Sequence, residues 1–247
     1  MTAKPRLNQL AVFASRPHPC SYLTGRDTVN LFTDPGVPMD TAIYSRLADF
    51  GFRRSGSHIY RPRCPQCQAC MPMRIPVHTF QPNRAQRRTL KSNQDVQATP
   101  QPVTFNKEHF ALYRHYMASR HPGGSMDDPN PERYMDFLNS PWSETLFTEF
   151  RHQNQLMAVS VLDVLAQGLS AVYTFFDPAF AAHSPGRHSV LWAIGEAQRR
   201  GLDYLYLGYW ITASTKMQYK QEYRPLELLH DGQWQRFDRS ETLPEIE

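Results

Sequence analysis

Apolar positions along the chain follow two different periods, and the change between them divides the sequence. Ile43, Leu47 and Phe50 recur at helical spacing behind Asp40, a good N-cap, and Gly51 supplies a stop, so a short helix is predicted over about 41–50. Pro62, Pro65, Pro72, Pro76 and Pro82 forbid a long helix in the next stretch, which leaves short strands, turns and a cysteine knuckle. Residues 93–104 are polar and proline-bearing with little periodicity, the pattern of a linker. Beyond it, Phe110, Tyr113 and Met117 mark one helix, and Asn130-Pro131 opens another that carries Tyr134 and Leu138. The period then falls to two. Leu156 to Leu165 and Leu169 to Phe176, around Gln167-Gly168, predict an antiparallel hairpin. A helix over about Ser189 to Arg200, stopped by Gly201, and a strand over Leu202 to Trp210 complete the pattern. The order gives an α+β or mixed α/β fold, with a small N-terminal domain over 1–92 and a larger one over 105–247.

Composition narrows the class. Of 247 residues, 40% are hydrophobic, 12% aromatic and 20% charged, which excludes disordered and collagen-like chains. No apolar run approaches 18 residues and Met1 to Arg6 lack an apolar secretory region, so a soluble cytoplasmic protein is expected.

The net charge of +4 conceals an uneven distribution. Between Asp49 and Asp95 there is no acidic residue, while Arg53, Arg54, Arg61, Arg63, Arg74, Arg84, Arg87, Arg88 and Lys91 supply nine cations. A one-signed strip on a chain that is otherwise net acidic is the footprint of a polyanion or an acidic ligand, or else a solvated face. The dominance of Arg favours bidentate recognition of phosphate or carboxylate.

Several constellations could carry chemistry. Cys64, Cys67 and Cys70 form C-x2-C-x2-C, and Cys20 follows a proline-rich turn. Four thiols would close a tetrahedral site for Zn or an Fe–S cluster, or else pack as small buried groups. From Tyr209 to Arg224, aromatic residues interleave with Lys216, Lys220 and Arg224, as stacked bases and phosphates require, although a core stripe with a wet lysine face reads the same way. Asp163 lies inside an apolar strand and needs a partner, functional or structural, if it is buried. Asp177-Pro178 ends the next strand as a turn cap or site residue, and Ser184-Pro185-Gly186-Arg187 opens a helix whose free N–H groups favour an anion.

Taken in order, these residues resemble the arginyl-tRNA–protein transferase family, and within it the bacterial aspartate/glutamate leucyltransferase branch. The likeness rests on Phe52-Arg53-Arg54-Ser55-Gly56, Tyr60 to Cys70, Arg74-Ile75, Gln86 to Lys91, Val161-Leu162-Asp163, Ala171-Val172-Tyr173, Asp177-Pro178 and Gly186. It continues through Leu207 to Ile211, Lys216-Met217-Gln218-Tyr219-Lys220 and Tyr223-Arg224-Pro225. The resemblance implies transfer of an amino acid from leucyl-tRNA to the N-terminal α-amine of proteins starting with Asp or Glu, which creates an N-degron. It also implies an N-acyltransferase-like (GNAT-like) C-terminal domain and a small N-terminal domain that carries the cysteines. Where the family motif holds two cysteines, Pro19-Cys20-Ser21-Tyr22 keeps one.

On that reading the ester is already activated and no cofactor is required for the chemistry. Positioning can supply on the order of 7–11 kcal/mol, which leaves only proton shuttling to Asp163, Asp177 or Tyr209. Arg53, Arg54 and Arg74 are the candidates for the acceptor's acidic N-terminus, and Arg84, Arg87, Arg88, Lys91, Arg187, Lys216, Tyr219 and Lys220 for the tRNA. The competing readings are the same reaction with arginyl-tRNA, and a non-catalytic RNA-binding adaptor. CoA-dependent acetyl transfer is disfavoured, since the helix opening lacks a full glycine pattern.

Overall fold

A computed structural model of the chain describes residues 10–120 and 130–244. The expectation about Met1 to Arg6 lies outside the described residues.

The N-terminal part is built on four short strands in the order β1-β4-β6-β5: β1 (Val12–Ala14), β4 (Asn30–Thr33), β5 (Arg53–Ser55) and β6 (His58–Pro62). Strands β2 (His18–Pro19) and β3 (Asp27–Thr28) pair separately. Helix α1 (Thr41–Asp49) starts where the sequence says, with the Asp40 carboxylate accepting from the Ile43 N–H at 2.8 Å.

An eight-stranded sheet forms the body, in the order β14-β13-β7-β12-β11-β10-β9-β8. Its strands are β7 (Met71–Pro76), β8 (Gln97–Gln101), β9 (Thr145–His152), β10 (Gln155–Val164), β11 (Gly168–Phe176), β12 (Tyr204–Trp210), β13 (Leu226–His230) and β14 (Gln233–Phe237). The predicted hairpin is β10–β11, antiparallel as expected. Every neighbouring pair is antiparallel except β11 and β12, which helix α5 (Pro185–Arg199) joins as a crossover. The fold is mixed α/β.

Two expectations about organisation are corrected. Residues 93–104 are not a free connector, because β8 pairs along β9 from Gln97–Arg151 to Gln101–Phe147. Nor does the sheet belong to the C-terminal part alone, because β7 lies between β13 and β12 and so places residues 71–76 in its middle. Prolines are tolerated there because β13 reaches β7 only at Arg74 and Met73, clear of Pro72 and Pro76. The buried run of β7 residues from Met71 to Ile75 is what the proline count concealed.

Helix α5 covers one face of the sheet, where Leu191, Ile194 and Ala197 pack with Ile75, Leu162, Leu205 and Leu207. On the other face lie α3 (Lys107–Arg120) and α4 (Pro131–Leu138), whose Tyr113, Met117, Tyr134 and Leu138 pack with Phe147, Val159, Val161 and Phe175. Helix α1 packs beside them through Tyr44 and Leu47, against Leu165 and Tyr206. Helix α2 (Arg84–Ser92), absent from the sequence reading, is fixed by a capping box between Asn83 and Gln86. No helix among the described residues is long and apolar enough to cross a membrane.

Candidate active site

The parallel pair β11–β12 stays in register only from Gly168–Tyr204 to Ser170–Tyr206, and beyond that point the two strands carry no further pairing. Each is irregular just there. The β10 ladder passes from Leu162–Ala171 to Val161–Tyr173, which leaves Val172 as an extra residue in β11. The β7 ladder passes from Tyr206–Arg74 to Gly208–Met73, which leaves Leu207 extra in β12. A bulge in each strand as pairing ends opens a notch between them.

Arg53, from β5, reaches into this notch. Its Nη2 donates to the Ala171 carbonyl at 3.0 Å, and the guanidinium carbon lies 5.7 Å from the Tyr209 ring centre. On the β12 side the guanidinium rests on Gly208: a Cβ there would come within 2.5 Å of Nη1, and the backbone φ of +76° also favours glycine. Arg53 is half-buried, and among the described residues no carboxylate forms an ion pair with it. Tyr22, Tyr60 and Tyr209 surround it, and burial pushes the Tyr22 phenol up to about 12.

Lys220 completes the notch from the β12 side. It is buried, 4% exposed, and its Nζ donates to the Tyr209 carbonyl at 2.6 Å. Tyr209 stands opposite Pro72, which has no N–H to offer that carbonyl. Burial first, and the Arg53 guanidinium second, hold the Lys220 ammonium well below the ordinary lysine range.

The other residues expected at the site stand elsewhere. Asp163 is fully buried and bound to Arg54 through Nε–Oδ2 at 2.5 Å and Nη2–Oδ1 at 2.7 Å, and it accepts from Thr145 Oγ1 at 2.8 Å. Arg54 also donates to the carbonyls of Leu138 at 2.8 Å and Gly56 at 3.3 Å. The pair is a closed anchor between β5, α4, β9 and β10, which corrects both the proton-shuttle role for Asp163 and the acceptor-binding role for Arg54. Arg74 is also occupied: its Nε lies 2.7 Å from Glu227 Oε2, and its guanidinium is sandwiched 3.7 Å from the Tyr204 ring and 4.2 Å from the Trp234 ring. The Tyr209 hydroxyl donates to the Gly51 carbonyl at 3.0 Å and so fixes the loop before β5 rather than serving as a shuttle. Asp177 caps the 3-10 turn after β11, accepting from the Ala179 N–H at 2.9 Å, with His115 3.6 Å away.

The basic candidates divide in the same way. Arg84, Arg87, Arg88 and Lys91 form the exposed face of α2, without ion pairs among the described residues, while Gln86 and Thr89 face inward. Gln86 Nε2 donates to the Glu222 carbonyl at 3.2 Å, which ties α2 to the segment bearing Lys216 and Tyr219, both exposed. Arg187 is half-buried and paired with Glu222 at 3.0 Å, and Lys220 is buried, so Lys220 is not on that surface and the charge of Arg187 is already compensated. A lysine next to an exposed tyrosine carries no sequence mark of burial. Gly208 inside an apolar strand, and Asn83-x-x-Gln86 as a capping box, were the two signals available for the parts the reading missed.

The four thiols are free, and Cys64 and Cys67 face each other across a short bridge. Burial, and then the neighbouring thiols of Cys20, Cys64 and Cys67, push Cys70 up to about 12. Cys20 Sγ instead accepts from the Tyr22 and Leu23 N–H groups, and Cys64 Sγ meets Thr28 Oγ1 at 3.4 Å. Among the described residues no three His, Cys, Asp or Glu side chains converge as a group that could hold a metal ion.

Comparison with known proteins gives the family. Residues 18–88 match the family described as arginine-tRNA-protein transferase, N terminus, and residues 108–230 match its C terminus. Proteins named aspartate/glutamate leucyltransferase are similar over nearly their whole length. The one from Nitrosococcus oceani is 53% identical over 90% of this chain and 94% of its own, and that from Teredinibacter turnerae 47% identical over 96% and 98%. Among solved structures, the C-terminal domain of a putative lysylphosphatidylglycerol synthetase from Agrobacterium fabrum shares 12% identity at a TM-score of 0.44, covering 68% of this chain and 51% of that one. On the sequence matches, this chain belongs to the arginine-tRNA-protein transferase family.

Proposed function

We infer that the protein is an aminoacyl-tRNA–protein transferase. It moves leucine from leucyl-tRNA to the N-terminal α-amine of proteins beginning with Asp or Glu, and so makes an N-degron in the cytoplasm. The observation that carries the reading is Arg53: a half-buried guanidinium in a strand notch, with no carboxylate partner among the described residues. A cation held that way is costly unless a ligand completes it, and an acidic first side chain is the complement. Arg54 and Arg74, already neutralised by Asp163 and Glu227, leave that role to Arg53.

The notch supports an N-acyltransferase-like reading of the larger part of the chain, because a splayed parallel pair offers backbone groups to an acyl donor. The exposed cations of α2 and Lys216 form a surface for the tRNA backbone. Chemically, the acceptor α-amine attacks the ester carbonyl, the ribose oxygen leaves with a proton, and an amide remains. Anchoring the neighbouring carboxylate on Arg53 fixes the amine, and the ester supplies the driving force. No step passes through the cysteines, and the reaction as drawn needs no cofactor.

The test mixes the protein with leucyl- or arginyl-tRNA and peptides starting with Asp, Glu, Lys or Ala, and reads products by mass. Leucine on the Asp and Glu peptides alone is expected. Arginine instead would overturn the donor, and no product from protein that binds tRNA would leave an RNA-binding adaptor.

A further inference from the structure

Lys220 is a buried cationic group at the notch to which the reaction above gives no task. Its surroundings are unusual for a lysine. Nζ has one hydrogen-bond partner, the Tyr209 carbonyl at 2.6 Å, and among the described residues no carboxylate pairs with it. The titratable groups that face it are Arg53 from β5 and the Cys70 thiol from the turn before β7. Two basic side chains thus share one low-dielectric notch, Arg53 bound to the carbonyl of β11 and Lys220 to that of β12.

Both cannot carry charge there cheaply. Guanidinium keeps its proton under all ordinary conditions, so the amine is the one that gives way. In the free enzyme burial and the Arg53 guanidinium thus both favour the neutral form of the Lys220 amine, whose lone pair is then unused. A carboxylate arriving on Arg53 reverses the balance: it neutralises the guanidinium and raises the proton affinity of the amine beside it. The same acceptor brings an α-ammonium that must lose a proton before it can attack.

We propose that Lys220 is the proton acceptor for the acceptor's α-ammonium, armed by the acidic side chain that docks on Arg53. The inference rests on the transferase reading. A proton passes from the α-ammonium to Lys220 Nζ, and the neutral amine nitrogen then bonds to the ester carbonyl carbon. The carbon–oxygen bond to the ribose breaks, and the ribose oxygen leaves with the second amine proton. Lys220 returns its proton to solvent once the product departs. Recognition of Asp or Glu then acts twice, as binding and as the signal that switches on the base.

The magnitude is set by the acceptor. An α-amine with a pKa of about 7.7–8.0 is roughly a tenth neutral at pH 7, so an internal base is worth about tenfold there, about thirtyfold at pH 6.5, and little at pH 8.5. Single-turnover rates on preloaded leucyl-tRNA at saturating Asp-peptide test this. Lys220→Met should lose about thirtyfold at pH 6.5 and approach wild type at pH 8.5. Wild type acting on an Asn-initiated peptide should show the same steep profile, since nothing arms the base.

Where Lys220→Met fails to bind leucyl-tRNA and is therefore misfolded, Lys220→Arg takes its place, a side chain that cannot accept the proton. The loss in Lys220→Arg should vanish with an aspartyl peptide whose α-amine is replaced by an aminooxy group, neutral throughout this range. A loss that is constant with pH, or that persists with the aminooxy peptide, would overturn the proposal and make Lys220 a strut for β12. Wild type that leaves all peptides unmodified would instead overturn the transferase reading itself.

Discussion

Arg54 and Asp163 form a two-pronged ion pair, at 2.5 and 2.7 Å, with neither side chain exposed to solvent. Thr145 and the Leu138 carbonyl complete its hydrogen bonds, so four elements meet at one closed point. Breaking such a pair from one side leaves an uncompensated charge, at a cost of about 3–5 kcal/mol. Asp163→Asn should therefore lower the midpoint of thermal unfolding by on the order of 10 °C, at about 2–4 °C per kcal/mol for a domain of this size. The double change Arg54→Met with Asp163→Leu should recover most of that loss. A stable Asp163→Asn protein with lost turnover would return Asp163 to the chemistry.

Arg53 differs from Arg54 in having no anion beside it among the described residues, and its removal should alter selectivity rather than stability. Arg53→Met should raise the KM for an Asp-initiated peptide by about ten- to a hundredfold, the worth of a hydrogen bond to a charged group, about 1.5–3 kcal/mol. The preference for Asp over Asn at the first position should collapse with it. Gly208→Ala, which places a methyl within 2.5 Å of the Arg53 guanidinium, should shift the same parameter in the same direction. Peptide kinetics with both first residues decide the matter, and an unchanged Asp/Asn ratio would remove Arg53 from acceptor recognition.

These two arginines also show where sequence reading ends. Neighbours in a strand point to opposite faces, so Arg53 and Arg54 meet different surroundings, but nothing local says which meets a carboxylate. The partner of Arg54 is 109 residues away and that of Arg74, Glu227, is 153 residues away. Periodicity is a local signal, and it correctly located α1, the β10–β11 hairpin, α5 and β12. It did not find β7 in the sheet centre, because the strand is held by β12 and β13 while its own prolines advertise a loop. For the same reason Lys220, assigned with Lys216 and Tyr219 to the tRNA, turned out to be buried at the notch with its Nζ on the Tyr209 carbonyl.

The outward face of α2 should carry the salt-sensitive part of tRNA binding. Arg84, Arg87, Arg88 and Lys91 are exposed and form no ion pair among the described residues, so each phosphate contact removed should lower the slope of log affinity against log salt by about one. Replacing Arg87 and Arg88 together by Ala should weaken leucyl-tRNA binding severalfold at low salt and far less at high salt. Arg187→Ala should have little effect, because that side chain is committed to Glu222. Equal losses at both salt concentrations would point instead to packing of α2 against α5.

Acid sensitivity should arise in part from His188, on the inner face of α5. The ring is 7% exposed, lies edge-on to Phe150 at 5.3 Å, and has no hydrogen-bond partner for Nδ1 among the described residues. Burial, and then the nearby His183, lower its pKa from 6.5 to about 4. The sign follows from proton counting: between about pH 6.5 and 4 the unfolded chain binds a proton at this position that the folded chain does not, so acid favours unfolding. The stability is intact above 6.5 and falls as the pH drops to about 4, a span worth about 3 kcal/mol at 1.36 kcal/mol per pH unit. His188→Leu keeps an apolar ring-sized group in place and removes the titration. Its unfolding midpoint should therefore decline less than wild type between pH 6.5 and 4.5, and parallel declines would show that His188 is protonated in the folded protein as readily as in the unfolded one.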